Sequence, residues 1–532
     1  MLDLCGRGMQ PNGQAPVFIL REGTERSHGR IAQSNNIAAA RAVADAVRST
    51  LGPKGMDKML VDEGGDVIIT NDGATILREM DIEHPAAKMI IEVSKTQEQE
   101  CYDGTTTAVI LSGELLKKSE ELISKNIHPT IICDTFRKVG TDLNAIIDGL
   151  AHNSDDNTLL DVAKTSLTGK SAGSIKDFLG GICVDAVNRL ATSGRVDLNE
   201  IMVVKAVGGE AIDSELVSSV VLDKERCHPN MPLTVESPRV LIYNNSIMVQ
   251  TTEMDANIQI TDPNQITAFL EQEEEYLRNL VNDIVGSGAK VVVCQKEIDD
   301  LAKHYLAKAG VLAVEKVPKS DIEALSRTTG ASILNNLEDV KAGEDVLGQC
   351  GLVEEKKVGE LPMVFFHDPQ ESIPVTLILR GGTVPFVEEI ERAFDDAVGV
   401  VSVAHEDGKV LTGGGSVFAA LSHKLHEVAQ TQNGRERMAT EAFAEALLVV
   451  PLTLVENAGL DPVDEMMTLR THHASNDNSA YGVNVFEGGL ADMSEAGVFE
   501  PKRVVAQAIK SAVETAIMIL RIDDVISSKK VS

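Results

Sequence analysis

Apolar positions along the chain fall into helical spacing towards both ends and into alternating helix and strand runs in the middle. Near the start, Ile37, Ala40, Val43, Ala44 and Val47 recur at intervals of three and four, so residues 31–60 read as a helix followed by a turn. The breaker is Leu51-Gly52-Pro53-Lys54-Gly55. Val67 to Thr70 reads as a short strand stopped by the turn sequence Asn71-Asp72-Gly73. A long amphipathic helix is predicted over 105–125, with Val109, Leu111, Leu115 and Leu122 on its apolar face. From 277 to 335 a helix, a glycine and a strand follow one another three times, the strands being 291–294, 311–314 and 331–334. Gly286, Gly310 and Gly330 stand where a helix ends in a left-handed residue. Such alternation with short connections argues for a parallel α/β layer. Just before it, the acidic second half of 257–276 has few apolar anchors and is expected to project into solvent or to lie as a surface helix. The final stretch returns to helices with glycine-rich turns at 413–415 and 482–484. Turns suited to phosphate thus occupy both ends, which suggests one domain built from both termini with others inserted between.

Composition narrows the function. At 532 residues the chain should divide into several domain-sized units. Aromatic residues make up 3%, with no Trp, too few for the stacking platforms of a single-strand binder. A net charge of −32 repels a nucleic-acid backbone and favours solubility. The seven cysteines are scattered and never spaced C-x-x-C, so buried, reduced thiols in a cytoplasmic protein are expected rather than a disulfide framework or a zinc site. His472 and His473 are adjacent, so on a helix they diverge rather than converge on a metal. No stretch approaches about 20 uninterrupted apolar residues, and the N-terminus lacks the pattern of a secretory leader. Neither nucleic acid nor a membrane is an expected partner.

The strongest local chemistry is Asp103-Gly104-Thr105-Thr106-Thr107, at the start of the predicted 105–125 helix. Free N–H groups and the positive dipole end favour phosphate there, Gly104 permits close approach, and Asp103 can hold a Mg²⁺ bridging phosphates. An ordinary Asp/Thr helix cap reads equally well from the motif alone. Thr50-Leu51-Gly52-Pro53 is a second loop of the same kind and, alone, reads more readily as a turn. Asp72 and Asp396, on distant segments, are candidate carboxylates for orienting an attacking water. Gly169-Lys170-Ser171 resembles the tail of a P-loop, but Lys164 stands where the pattern requires glycine, so a P-loop is rejected.

Taken together, RSTLGPKGMDKMLVD (48–62), TNDGATILREMDIEHPAAKM (70–89), DGTTTAV (103–109), QKEIDDLAKHYLAKAG (295–310), RGGT (380–383), EDGKVLTGGGS (406–416), ENAGLDP (456–462), GVNVF (482–486) and LRIDDVI (520–526) resemble the group II chaperonins, in family order over nearly the whole chain. The match looks like the archaeal thermosome branch, related to the eukaryotic cytosolic chaperonin ring. This resemblance implies a multidomain α/β chaperonin fold. A mostly helical equatorial domain would span 1–156 and 411–532, and an α+β intermediate domain 157–224 and 376–410. An α/β apical domain would span 225–375, with a helical lid protrusion near 250–276. It implies an ATP-dependent chaperone that encloses non-native proteins, with ATP and Mg²⁺ as cofactors and K⁺ a further candidate. Self or sister subunits would form a double ring of about eight or nine per ring.

Carried over by residue, Asp72 and Asp396 would position and activate water, and Asp103 would hold Mg²⁺. Thr50, Leu51, Gly52, Pro53, Asn71, Gly73 and Gly104 to Thr107 would surround the phosphates, with Lys170 sensing the γ-phosphate. Gly414, Asn484, Val485 and Glu500 would surround the base and ribose. Asp396 would reach the site only through hinge closure. The chain departs from the family pattern in three places. Tyr102 stands where the family usually has glycine, either crowding the phosphate loop or stacking nearby. Asp395 precedes Asp396, leaving two carboxylates for one role, of which Asp396 is favoured. The Gly/Met-rich tail common in the family is missing after Lys530.

Overall fold

The computed structural model describes residues 25–527 apart from 62–63, 66, 192–194, 250–262, 338–345, 371–373 and 476–479. In chain order, the opening helices are α1 (Arg30–Arg48), α2 (Gly73–Glu79), α3 (Pro85–Cys101), α4 (Thr105–Ser124) and α5 (Pro129–Leu150). Then come α6 (Asp156–Leu167) and α7 (Lys176–Leu190), and in the middle α8 (Pro263–Gly286), α9 (Asp300–Lys308) and α10 (Lys319–Thr329). The chain closes with α11 (Val384–Asp407), α12 (Ser416–Thr431), α13 (Gly434–Leu447), α14 (Val449–Asn457), α15 (Pro462–Ser475) and α16 (Lys502–Leu520).

The apolar face read from the sequence on α1 is the buried one, from Ile37 to Val47. It joins α3, α4, α5, α12, α13 and α16 in one core, where Phe136 and Phe443 meet edge to face. First and last helices therefore share a hydrophobic centre. The run Gly434–Asn457 is long and apolar enough to cross a bilayer, yet 72% of its apolar window is buried inside the protein.

A second cluster joins α6, α7 and α11 to the strands Ile201–Val207 and Val375–Gly381. These two strands run parallel in register, and the Gly208 N–H donates to Gly381 O at 2.7 Å. Beyond them lies an eight-stranded sheet. Its strands Arg239–Tyr243, Val291–Cys294, Leu312–Val314 and Ile333–Leu334 are parallel, as the alternation predicted. The layer is nevertheless mixed, not purely parallel. Gly348–Val358, Leu361–Pro369 and Ser219–Leu222 continue it antiparallel, because a tight turn at Gly359 makes 348–369 a hairpin. Gly310 and Gly330 do take positive φ, whereas Gly286 is still helical and Gly288 makes the left-handed turn. In the acidic stretch of α8, Glu271, Gln272, Glu273, Glu275 and Tyr276 are exposed and burial begins at Leu277; 250–262 of the expected protrusion lie outside the described residues.

Of the thiols, Cys101, Cys133, Cys183, Cys294 and Cys350 are buried and Cys227 half-buried, all unbridged; Cys5 lies outside the described residues. Burial pushes those of Cys101, Cys227, Cys294 and Cys350 up to about 12. His472 stacks on Tyr481 and His473 bonds to the Tyr481 carbonyl at 2.9 Å.

Candidate functional site

A cleft of about 640 Å³ opens where α1, α2, α4 and α12 meet α6 and α11. Its nearest wall is the loop after α1. Thr50 Oγ1 donates to the Val47 carbonyl at 2.8 Å, ending the helix, and Gly52 turns with φ 81°. Asn457 at the end of α14 donates to the Arg48 and Leu51 carbonyls at 3.1 and 2.8 Å, fixing this loop from the other end of the sequence. The Gly169 loop abuts it so closely that a Cβ at Gly169 would lie 2.8 Å from Pro53 Cα, and Asn71 Nδ2 donates to the Gly169 carbonyl at 2.9 Å.

Asp72 caps α2, its carboxylate accepting from the Ala74 and Thr75 N–H groups at 3.3 and 2.7 Å. That fixes the side chain while leaving lone pairs on both oxygens. A Cβ on Gly73 would meet Thr106 Oγ1 at 2.5 Å, so α2 starts in direct contact with α4.

The N-cap of α4 is Gly104, left-handed at φ 77°, with no side-chain cap. The Asp/Thr capping alternative is therefore not realised. Among the described residues Asp103 Oδ1 accepts from the Gly104 N–H alone, at 2.6 Å, and the first turn of α4 lines the cleft with the open N–H groups of a helix start. Gln97 secures the turn by donating to the Asp103 and Val504 carbonyls at 2.9 and 3.1 Å. The N-cap of α12, Gly415, is likewise left-handed and without a side-chain cap.

Lys170 and Asp396 come from α6's following loop and from α11. Lys170 Nζ lies 2.6 Å from Asp396 Oδ2. Burial pushes the Asp396 carboxyl up to about 6; Lys170 opposes the rise while Asp72 and Asp103 add to it. Burial acts to lower the Lys170 ammonium, but Asp396, Asp103 and Asp72 outweigh it and hold it above the usual lysine range. Three carboxylates thus face one ammonium, and the site has negative charge to spare. Among the described residues no three metal-ligating side chains form a ready cage. That suits Mg²⁺, which takes one or two carboxylates and completes its shell with phosphate oxygens and water. Asp395 does not line this cleft. It lies on a second one, with Glu391 beside it, and burial first, then Glu391 and Asp396, push it up to about 6.

Of the site residues carried over from the resemblance, all but one line this cleft: Thr50, Leu51, Gly52, Pro53, Asn71, Asp72, Gly73, Asp103, Gly104, Thr105, Thr106, Thr107, Lys170, Asp396, Gly414, Asn484 and Val485. Glu500 instead lines a small adjoining cavity of about 110 Å³, shared with Asp103, Thr107 and Gly414. Burial, then the Asp103 charge, push Glu500 up to about 8. Asn484 turns its Oδ1 back onto the Phe486 and Glu487 N–H groups at 3.1 and 3.2 Å, shaping its loop rather than pointing outward. Sequence reasoning missed Gln97 and Asn457, which fix the two loops. It also missed Lys54, whose Nζ sits 5.5 Å from the Phe486 ring centre at the rim.

The sequence matches the model of the TCP-1/cpn60 chaperonin family over residues 43–530. It is 52% identical over 518 residues to the thermosome subunit beta of Methanothermobacter thermautotrophicus, covering 97% of this chain and 95% of that one. It is 53% identical over 521 residues to the thermosome subunit beta of Archaeoglobus fulgidus, with the same coverage. It is 49% identical over 523 residues to the thermosome subunit alpha of Thermoplasma acidophilum, again over 97% and 95%.

Proposed function

This chain belongs to the TCP-1/cpn60 chaperonin family, and from that premise we propose that it is an ATP-hydrolysing subunit of a cytoplasmic double ring that encloses non-native proteins. The observation that carries the reading is the convergence of Asp72, Asp103, Lys170 and Asp396 on one cleft, with Asp396 delivered by a helix from outside the terminal core.

In this reading the cores correspond to three working parts. The terminal core, 1–156 and 411–532, holds nucleotide; 157–224 with 376–410 carries Asp396; 225–375 handles clients, with the protrusion near 250–276 as lid. The N–H groups of α4's first turn and the Thr105, Thr106 and Thr107 hydroxyls receive the phosphates, and Asp103 holds Mg²⁺. An ion held there by Asp103 would supply neutralisation of charge on the phosphate oxygens. Asp72, held by its cap bonds, orients the attacking water, and Asp396 accepts its proton. Lys170 keeps Asp396 ionised and stands ready to exchange that partner for the γ-phosphate. Gly414, Asn484, Val485 and Glu500 bound the nucleoside side. Because α11 joins the paired strands of the middle unit to the terminal core, the motion that seats Asp396 also moves the client-handling part.

Assembly has its own support. The hairpin of Lys58–Val61 and Val67–Thr70 pairs Met59 with Ile69 and Val61 with Val67, and all four are exposed. A two-stranded apolar face of this kind needs a neighbour. Light scattering with and without Mg-ATP tests the reading. A particle near the megadalton scale that hydrolyses ATP is expected; a persistent monomer without turnover refutes it.

A further inference from the structure

Tyr102 is the last residue before Asp103 and caps α3 in the left-handed conformation, at φ 58°. Residues other than glycine rarely adopt it, and for a bulky one it is an outlier. Its ring is partly exposed. It lies on Gly399, a buried residue inside α11, at such range that a Cβ built on Gly399 would sit 2.3 Å from Tyr102 Cγ and 2.6 Å from Cδ1. A glycine in mid-helix weakens the helix, so its presence calls for a reason, and here the missing Cβ is the socket for the ring. Gly399 follows Asp396 by three residues, which places the two on adjoining positions of one helix face. Tyr102 also stands in the wall between the nucleotide cleft and the second cleft of about 620 Å³ that runs between α3 and α11.

We infer that Tyr102 is a positioning residue for the hydrolysis reaction: its ring, seated in the Gly399 notch, ties the Asp103 turn to the helix that carries Asp396. The inference rests on the functional reading above. The ring touches the carboxylate's helix, so it acts on where the proton acceptor stands and not on how nucleotide is held. The hydroxyl has no hydrogen-bond partner among the described residues, so the ring alone carries the effect.

The test uses the full assembled chain in five forms: parent, Tyr102→Phe, Tyr102→Gly, Gly399→Ala and the Tyr102→Gly/Gly399→Ala double variant. Steady-state ATP hydrolysis and the thermal unfolding midpoint without nucleotide are measured for each. Tyr102→Phe should keep parental kcat, because it keeps the ring. Tyr102→Gly, whose backbone suits the left-handed turn, should lose kcat by about tenfold or more with KM for ATP held within about twofold. Gly399→Ala should lower the midpoint in the parent, where the methyl strikes the ring, and raise it in the Tyr102→Gly background, where only the better helix propensity remains. A Tyr102→Gly variant with parental or higher kcat, or an alanine shift of the same sign in both backgrounds, overturns the inference. A parent that hydrolyses no ATP overturns the functional reading itself, and the inference with it.

Discussion

Replacing Asp396 by Asn keeps the shape of the side chain and removes one charge, so its consequences can be separated. In the parent, Lys170 Nζ and Asp396 Oδ2 are 2.6 Å apart, with the lysine side chain 20% and the aspartate 38% exposed. With the aspartate more than a third open to solvent, the pair is screened, and its loss should cost stability only about 1 kcal/mol or less. The loss of a general base is larger, about 10²- to 10⁴-fold in rate, or roughly 3–5 kcal/mol on the barrier. Affinity should move the other way. The site holds surplus carboxylate charge, and Asp396→Asn both removes one repulsion and frees Lys170 for phosphate. The expected result is a near-parental unfolding midpoint, ATP bound as tightly or more tightly, and kcat down by at least about 100-fold. Titration of a non-hydrolysable nucleotide by calorimetry, beside single-turnover hydrolysis, reads these separately. Undiminished turnover would sink the role given to Asp396, and so would nucleotide binding lost in step with rate.

Three further outcomes follow from the same geometry. Burial pushes the Asp396 carboxyl up to about 6 and the role we propose for it requires the deprotonated form, so kcat/KM should fall as pH drops through that value; Lys170→Met removes the ammonium that holds it down, and the acid limb should shift to higher pH. Glu500, raised from its ordinary 4.5 to about 8, binds its proton more tightly folded than unfolded, so its burial is tolerated below pH 4.5 and opposes folding increasingly as pH rises towards 8; Glu500→Gln should flatten that slope in nucleotide-free unfolding midpoints, raising them most near pH 8. Charging the hairpin face with Ile69→Asp should convert the large particle to subunits of one chain, measured by light scattering, without lowering the subunit's own unfolding midpoint.

Much of the site was legible because glycine and aspartate carry their reasons locally. Gly52 and Gly104 stand in turns that need positive φ, and Asp103 directly precedes a helix start; both features lie within a few residues of sequence. The helical period likewise located α1 and α4, since a buried stripe writes itself at intervals of three and four. What escaped depends on partners far along the chain. Gln97 is one more polar residue of α3 until its bonds to the Asp103 turn and to Val504 are seen, and Asn457 is one more helix end until it meets the loop after α1. The order of strands 291–334 was readable from repetition, but the antiparallel half of their sheet was not, because pairing between 219–222 and 364–367 follows from three-dimensional closure and not from any local period. Gly399 has no local signal at all. Its meaning comes from a ring almost 300 residues earlier.

The antiparallel pairing of Glu215–Val217 with Val375–Gly381, which sets Val217 opposite Thr376, brings the entry and exit of the middle segment to the same point in space. Everything between them is, topologically, a closed excursion from one doorway. Such a segment can lengthen, shorten or diverge in sequence with little entropic penalty to the frame that carries it, because its ends are already joined. The middle segment, to which we assign the clients, is in this way free to drift, while the residues that line the candidate site stay anchored on the far side of the threshold.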